Sequence, residues 1–268
     1  MRRVGLIGYG AIGRAIAASL RQTDKAGFDL VALLTRSAPA INAAGNLPGT
    51  RITDALDDFL AASPEVVIEA AGHDSVSLYG EAVLRAGCEF HILSTGVFAD
   101  DDFTRRLVAA ARTGSTRIVI PSGALAGFDG LRALRAGGLD KVTYTSIKPP
   151  VAWLGTPAAA DHDLTDLAEP RTIFEGSARE AAVRFPRNAN LAATVALAGL
   201  GFEATRVRLV ADPHCSGNTG RVVAEGPHGR IEAIVSGSSE PDNPKTSAIT
   251  AYSVIAALRN TDDIVRFL

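Results

Sequence analysis

The sequence predicts an α/β protein in two parts, a doubly wound parallel sheet followed by a smaller α+β domain. In the first part, short apolar runs alternate with longer helical patterns, and such continuous runs are typical of parallel strands buried on both faces. After Pro121-Ser122-Gly123 the runs alternate partly between apolar and polar residues, as in a sheet with one covered face. We expect domains at 1–121 and 122–244, and a C-terminal helix within 245–268 that packs back on the first domain.

The individual elements follow from these patterns. The strands predicted in the first domain are 4–7, 30–34, 66–70, 90–93 and 117–120, with helices in right-handed crossovers between them. In the second domain they are 142–147, 206–210, 221–225 and 230–236, the last two joined as a hairpin by the turn at 226–229. Helical composition marks 177–184, 188–200 and 246–259, and the Ala/Gly-rich stretch 40–49 is expected to be a surface loop.

Composition excludes several classes of function. The 268 residues are 47% hydrophobic and 21% charged, with a net charge of -2, so nucleic acid and anionic membranes are not expected as partners. The two cysteines, Cys88 and Cys215, are too far apart and too few for a disulfide scaffold or a structural zinc site, and no metal is expected. Met1-Arg2-Arg3 leads directly into a strand pattern rather than a signal peptide. We therefore expect a cytoplasmic protein that acts on a small molecule.

The strongest motif is a glycine-rich turn between the first strand and the first helix. It reads Gly8-Tyr9-Gly10-Ala11-Ile12-Gly13. In a G-x-G-x-x-G turn the first glycine permits the tight turn, the second admits a pyrophosphate, and the third allows close packing of helix on strand. At the start of a β/α unit this pattern predicts a Rossmann domain that binds a dinucleotide through Gly8, Gly10, Ala11, Ile12 and Gly13.

The end of the second strand bears on the choice of cofactor. An acidic residue normally stands there to bind the ribose hydroxyls of NAD, but this chain reads Leu34-Thr35-Arg36-Ser37. Because Arg36 can pair with a 2′-phosphate and no carboxylate repels one, we expect NADP to bind at least as well as NAD. The alternative is an arginine that is merely solvated in a loop.

Two further loops are expected to line the cofactor. Ligands of open α/β sheets bind beyond the carboxyl ends of the strands, where Ala71 and Gly72 follow one strand and Ser94 and Thr95 follow the next. His73 is a less favoured candidate for a base, because loop histidines more often only make hydrogen bonds or face solvent.

Several longer blocks carry a family resemblance. They are Pro121-Ser122-Gly123-Ala124, Tyr144-Thr145-Ser146-Ile147-Lys148-Pro149-Pro150, Ala152-Trp153-Leu154-Gly155-Thr156-Pro157, Phe185-Pro186-Arg187-Asn188-Ala189-Asn190-Leu191-Ala192-Ala193-Thr194, Ala211-Asp212-Pro213 and Asn243-Pro244-Lys245-Thr246-Ser247. Together, over essentially the whole chain, they resemble the L-aspartate dehydrogenase family. The resemblance implies a Rossmann domain with a substrate and dimerisation domain, a homodimer, and NAD(P)-dependent interconversion of L-aspartate and iminoaspartate. Iminoaspartate hydrolyses to oxaloacetate and ammonia, and in some members it feeds NAD biosynthesis.

The resemblance also implies roles for single residues. It places the Ala124 backbone N–H near the cofactor and the Asn190 amide near the nicotinamide. Lys148 is a candidate ligand for a substrate carboxylate, within a Pro-rich segment that extends to Trp153 and is expected to be irregular. Asn188 and Asn190 have the alternative role of capping the helix that follows them.

One position departs from the family pattern. Where the family has Asn-x-His, with the histidine as catalytic acid/base, this chain reads Asn218-Thr219-Gly220. Glycine cannot transfer a proton, so three explanations stay open: another residue such as His214 or His228 reaches the site, the enzyme is a slow or imine-specific reductase, or the chain is an inactive variant. Competing hypotheses are a non-catalytic NAD(P)-binding sensor or partner-binding protein, and a related oxidoreductase acting on a semialdehyde or cyclic imine.

Overall fold

The computed structural model describes residues 1–22, 27–45, 47–186, 188–237, 239–240 and 243–266. The described chain divides into two compact units, one made of Met1–Pro121 with residues 251–266, the other of Ser122–Thr250. Within the described ranges, no helix is long and apolar enough to cross a membrane. Arg187 and the side chains of 243–246, which belong to the blocks quoted above, lie outside the described part.

A parallel sheet forms the centre of the first unit. Its strands are β1 (Arg2–Ile7), β2 (Phe28–Leu34), β3 (Arg51–Thr53), β4 (Val66–Glu69), β5 (Glu89–Ile92) and β6 (Ile118–Val119), in the spatial order β3-β2-β1-β4-β5-β6. The order reverses at β1, which pairs with β2 on one side and β4 on the other. This confirms the predicted doubly wound sheet and places its switch point at the glycine-rich turn.

Helices cover this sheet. They are α1 (Ala11–Gln22), α2 (Ala38–Ala44), α3 (Leu56–Ala61), α4 (His73–Arg85) and α5 (Asp101–Thr113), with a 3₁₀ turn at Thr95–Ala99. The expectation that 40–49 is a loop is wrong in part, because α2 occupies its first half. Pro39 lies in the first turn of α2, where its missing N–H is no loss, and Gly45 ends the helix in the left-handed conformation.

A mixed sheet forms the second unit. Its strands are β7 (Lys141–Lys148), β8 (Arg171–Ser177), β9 (Arg206–Ala211), β10 (Asn218–Gly226) and β11 (Gly229–Gly237), in the order β11-β10-β7-β9-β8. β10 and β11 form the predicted hairpin, with Gly226 opposite Gly229. Short strands β12 (Ser239–Glu240) and β13 (Asn243–Ser247) pair separately. The second α+β domain is therefore confirmed.

The helices of the second unit are α6 (Phe128–Gly137), α7 (Ala158–Asp161), α8 (Ala178–Arg184), α9 (Asn190–Ala198) and α10 (Gly201–Ala204). The segment from Lys148 to Trp153 is more regular than expected. Lys148 is the last residue of β7, and Pro150–Trp153 form one 3₁₀ turn. Pro150 opens that turn, at a position that needs no N–H.

The C-terminal helix α11 (Ile249–Asp262) returns to the first unit. Ala251, Val254 and Leu258 are buried at helical spacing, in one core with Leu6 and Ile16. The first unit is thus built from both ends of the chain.

Candidate active site

The three glycines of the turn between β1 and α1 differ in their surroundings. Gly8 has φ +97°, and a Cβ added there would lie 2.7 Å from the Ala71 Cβ. A Cβ on Gly13 would collide with the Gly8 carbonyl oxygen, so helix α1 packs closely on the turn. A Cβ on Gly10, in contrast, would meet no described atom within 4 Å. The turn itself requires glycine at 8 and 13, whereas at 10 it leaves the backbone open to a ligand.

The loop after β2 presents the residues expected to read the adenosine ribose. Arg36 and Ser37 are exposed, and the Thr35 N–H donates to Thr53 on the neighbouring strand β3. Among the described residues, none forms an ion pair with Arg36. Its guanidinium is therefore available to an anionic ligand.

The loops after β4 and β5 meet at a carboxylate that the sequence analysis did not single out. Glu69, the last residue of β4, is 0% exposed. Its Oε1 accepts hydrogen bonds from the N–H groups of Ala71 and Gly72, both at 2.7 Å, and from Ser94 Oγ at 2.9 Å. Its Oε2 accepts from the Ser94 N–H at 2.9 Å. The two loops expected to line the cofactor, with Ala71 and Gly72 in one and Ser94 and the buried Thr95 in the other, thus lie together at the carboxyl ends of β4 and β5.

In the second unit, Lys148 lies on the covered face of the mixed sheet. The buried residues Val142, Tyr144, Ser146 and Lys148 alternate along β7 with more exposed ones. The Lys148 Nζ lies 5.5 Å from the centroid of the Trp153 ring, and the Trp153 indole N–H donates to the Val210 carbonyl oxygen at 3.1 Å. Trp153 is thereby fixed against β9 and packs beside the lysine side chain.

Gly220 lies on the same covered face. It stands opposite Ser146 in the pairing of β10 with β7. A Cβ added at Gly220 would lie 2.6 Å from Leu125 Cδ2, 3.6 Å from the Ala124 carbonyl oxygen and 3.6 Å from Tyr144 Cε2. The structure therefore brings Gly220 and Ala124 together, and the methyl group of Leu125 occupies the space where a side chain at 220 would begin.

The structure brings no substitute acid/base to Gly220 from the histidines proposed for it. His214 is 65% exposed in its side chain and faces Glu169, with Nε2 4.0 Å from Oε2. His228 lies in the hairpin turn against α6, about 20 Å along β10 from Gly220. Tyr144 is closer, but burial raises its pKa to about 12 even though Ser146 bonds to the hydroxyl, so it is not a base near neutral pH.

The start of α9 holds the two asparagines of the family block. Asn190 is its first residue, and a Cβ on Gly123, in the loop before Ala124, would lie 2.8 Å from Leu191 of the same helix. Asn188 is 8% exposed, and among the described residues neither atom of its amide has a hydrogen-bond partner. It does not cap α9, since the N-cap residue is Ala189 and no side chain caps the helix. The capping interpretation of Asn188 and Asn190 is wrong.

A dinucleotide turn in one domain, with a lysine buried on the covered sheet face of a second, is the arrangement of a two-domain NAD(P)-dependent dehydrogenase. The family description "Aspartate dehydrogenase, C-terminal" matches residues 129–261, and "Homoserine dehydrogenase, NAD binding domain" matches residues 8–121. The L-aspartate dehydrogenase of Cupriavidus necator is 42% identical over 264 residues, which is 97% of each chain. L-aspartate dehydrogenase 2 of Bordetella bronchiseptica is 43% identical over 258 residues, 96% of each.

Comparison with solved structures gives the same result as comparison of sequences. The crystal structure of aspartate dehydrogenase from Thermotoga maritima superposes with a TM-score of 0.77 at 28% identity and covers 100% of both chains. An archaeal homoserine dehydrogenase in complex with NADPH shares the fold, with a TM-score of 0.60 at 10% identity over 96% of this chain and 97% of that one. The chain belongs to the L-aspartate dehydrogenase family, and its cofactor is NAD or NADP.

Proposed function

We propose that the protein interconverts L-aspartate and iminoaspartate with NADP or NAD, at a rate limited by the missing histidine at position 220. The observation that carries this proposal is a chain 42% identical to L-aspartate dehydrogenase over 97% of its length that also buries Lys148 on the sheet face of its second domain. A protein that only bound the dinucleotide would have no use for a lysine buried on the sheet face of the second domain.

The residues present suit the dinucleotide. Open space at Gly10, with Gly8 and Gly13 fixed by close packing, leaves backbone N–H groups at the start of α1 for the pyrophosphate. Arg36 would hold a 2′-phosphate. Ala71, Gly72, Ser94, Thr95, Ala124 and Asn190 are the proposed contacts of the nicotinamide half. When bound, the nicotinamide supplies the hydride acceptor or donor.

In the second domain, Lys148 binds a substrate carboxylate. Lys148 is 8% exposed, and its ammonium group acts as a point charge. Contact with the Trp153 ring limits the movement of the lysine side chain. Asn188 is a further substrate contact. Its amide has both a donor and an acceptor without a partner among the described residues, and an amino acid offers an adjacent amine and carboxylate that satisfy both.

Gly220 leaves the proton balance of the reaction to solvent. Oxidation of aspartate requires the neutral amine, and imine reduction must deliver a proton to nitrogen. In this chain no side chain at 220 takes either role. We therefore propose that the enzyme oxidises aspartate faster as pH rises, because more substrate amine is then already unprotonated.

The deciding assay is NADPH and NADH consumption with oxaloacetate plus ammonia. Slow, ammonia-dependent oxidation of either cofactor is expected. Cofactor binding by calorimetry without turnover at any ammonia concentration would favour a non-catalytic sensor. Turnover with a cyclic imine but not with oxaloacetate plus ammonia would favour a different substrate.

We also propose a cytoplasmic homodimer. β11 is the outer strand of its sheet and exposes Ile234 by 58%, which supports contact with a second copy. Sedimentation velocity of the wild type and of Ile234→Lys tests the assembly, since a monomeric wild type contradicts it.

A further inference from the structure

Glu69 is a buried carboxylate to which the proposed reaction gives no role. It is fully buried at the carboxyl end of β4, and its two oxygens accept four hydrogen bonds of 2.7–2.9 Å. Two of the donors belong to the loop after β4, the N–H groups of Ala71 and Gly72. The other two belong to Ser94, which follows β5. One side chain thus ties together two loops that are more than twenty residues apart.

We propose that Glu69 is a positioning residue that holds both loops in the conformation that receives the nicotinamide half of the cofactor. The proposal rests on the cofactor assignment made above. In a sheet of this order, β1, β2 and β3 form the half that binds the adenosine. The loops after β4 and β5 therefore belong to the half that binds the nicotinamide nucleoside.

The chemistry of the contacts favours a carboxylate. All four partners are donors, and an ionised carboxylate is the side-chain group that offers only acceptors. Among the described residues, no lysine or arginine forms an ion pair with Glu69, so these donors alone compensate its charge. Removal of the acceptor would leave the N–H groups of Ala71 and Gly72, and the buried N–H group of Ser94, without this partner, and the loops would then rearrange to satisfy them.

The contacts also fix the direction of the backbone. Because a trans peptide unit places its C=O opposite its N–H, donation from Gly72 N to Glu69 turns the Ala71 carbonyl oxygen away from the carboxylate. Ala71 is exposed beyond the carboxyl end of β4. Glu69 therefore orients an outward acceptor, which suits a ribose hydroxyl group.

The test is Glu69→Gln, which keeps the shape of the side chain but replaces one acceptor oxygen with a donor. By calorimetry, we expect the Kd of NADPH and NADH to rise about tenfold, the effect of one strong hydrogen bond. The Kd of 2′,5′-ADP and of ADP, which lack the nicotinamide ribose, should change less than about twofold. Ser94→Ala, which removes one of the four donors, should change the dinucleotide Kd in the same direction by a smaller factor.

Glu65→Gln is the matched control. Glu65 immediately precedes β4, at the amino end of the strand, and its Oε2 accepts the Arg3 N–H at 2.8 Å. The Glu65→Gln substitution should leave the dissociation constants of NADPH, NADH, 2′,5′-ADP and ADP unchanged. An unchanged dinucleotide Kd in Glu69→Gln overturns the proposal. An equal loss of affinity for the fragments and the dinucleotides also overturns it, because it indicates general damage to the domain. If Glu69→Gln does not fold, an unaltered dinucleotide Kd in Ser94→Ala overturns it. A wild-type protein that binds neither dinucleotide refutes the proposed function itself.

Discussion

Restoring a histidine at position 220 is the substitution that bears most directly on the chemistry. A Cβ there would lie 2.6 Å from Leu125 Cδ2, whereas carbon atoms pack at about 3.5–4.0 Å. The Leu125 methyl must therefore withdraw by about 1 Å. Because it is the far end of a flexible side chain, we expect the free energy of unfolding to fall by about 1–3 kcal/mol, the usual cost of overpacking.

Gly220→Ala carries the same Cβ, and therefore the same overlap with Leu125, without a titratable group. The ratio of turnover between Gly220→His and Gly220→Ala therefore isolates proton transfer. We expect that ratio to be about 10² at neutral pH, the low end for a positioned acid/base, and smaller at high pH where the amine is already neutral. The double variant Leu125→Ala/Gly220→His removes the overlap and should keep the gain in rate.

The assay is initial-rate aspartate oxidation and imine reduction across pH, with unfolding monitored in parallel. Equal turnover of the His and Ala variants, with both folded and binding cofactor, would show that position 220 does not reach the reacting amine. A gain that is the same at all pH values would also refute the proton-transfer explanation.

Other expectations follow from the same structure. Gly10→Val should fold normally yet lose most of its affinity for NAD(P), whereas Gly13→Val should destabilise the protein because of its contact with the Gly8 carbonyl; calorimetry and thermal unfolding separate the two. Arg36→Ala should weaken NADPH more than NADH by about 1–3 kcal/mol, and equal losses would show that Arg36 does not read the 2′-phosphate. Asn188→Leu should raise the substrate KM while the unliganded protein becomes more stable by about 1 kcal/mol, since it removes a buried amide that has no hydrogen-bond partner among the described residues; a drop in stability with unchanged KM would assign Asn188 a structural role. His214→Ala should leave turnover unchanged, because the side chain is exposed.

Sequence periodicity was sufficient to predict the central strands of both domains. β1, β2 and β4 are continuous apolar runs because both faces are buried, and that pattern is visible without a structure. β3 and β8 escape the periodicity for local reasons, because β3 has only three residues and β8 runs directly into the capping box of α8. Helix α2 lies in a stretch whose alanine and glycine content is equally typical of a loop, although Pro39 and Gly45 mark its two ends.

The site was harder to predict than the fold. The glycine turn was identified because its three glycines carry a local signal. Glu69 carries no such signal, because a buried glutamate at the end of a strand looks the same in the sequence as a solvent-exposed one. Only its hydrogen bond to Ser94, 25 residues away, distinguishes the two cases. The crowding of Gly220 by Leu125 likewise depends on a contact between residues distant in sequence.

The return of α11 to the first unit has a consequence for synthesis of the chain. The core that contains Leu6 and Ile16 is completed by Ala251, Val254 and Leu258, which leave the ribosome only after the whole second domain. The cofactor-binding domain therefore cannot reach its final stability while the second domain is being made, and its nascent form exposes an apolar surface until α11 has been made. Removal of α11, or a bulky substitution on its buried face, thus acts on the N-terminal half of the enzyme.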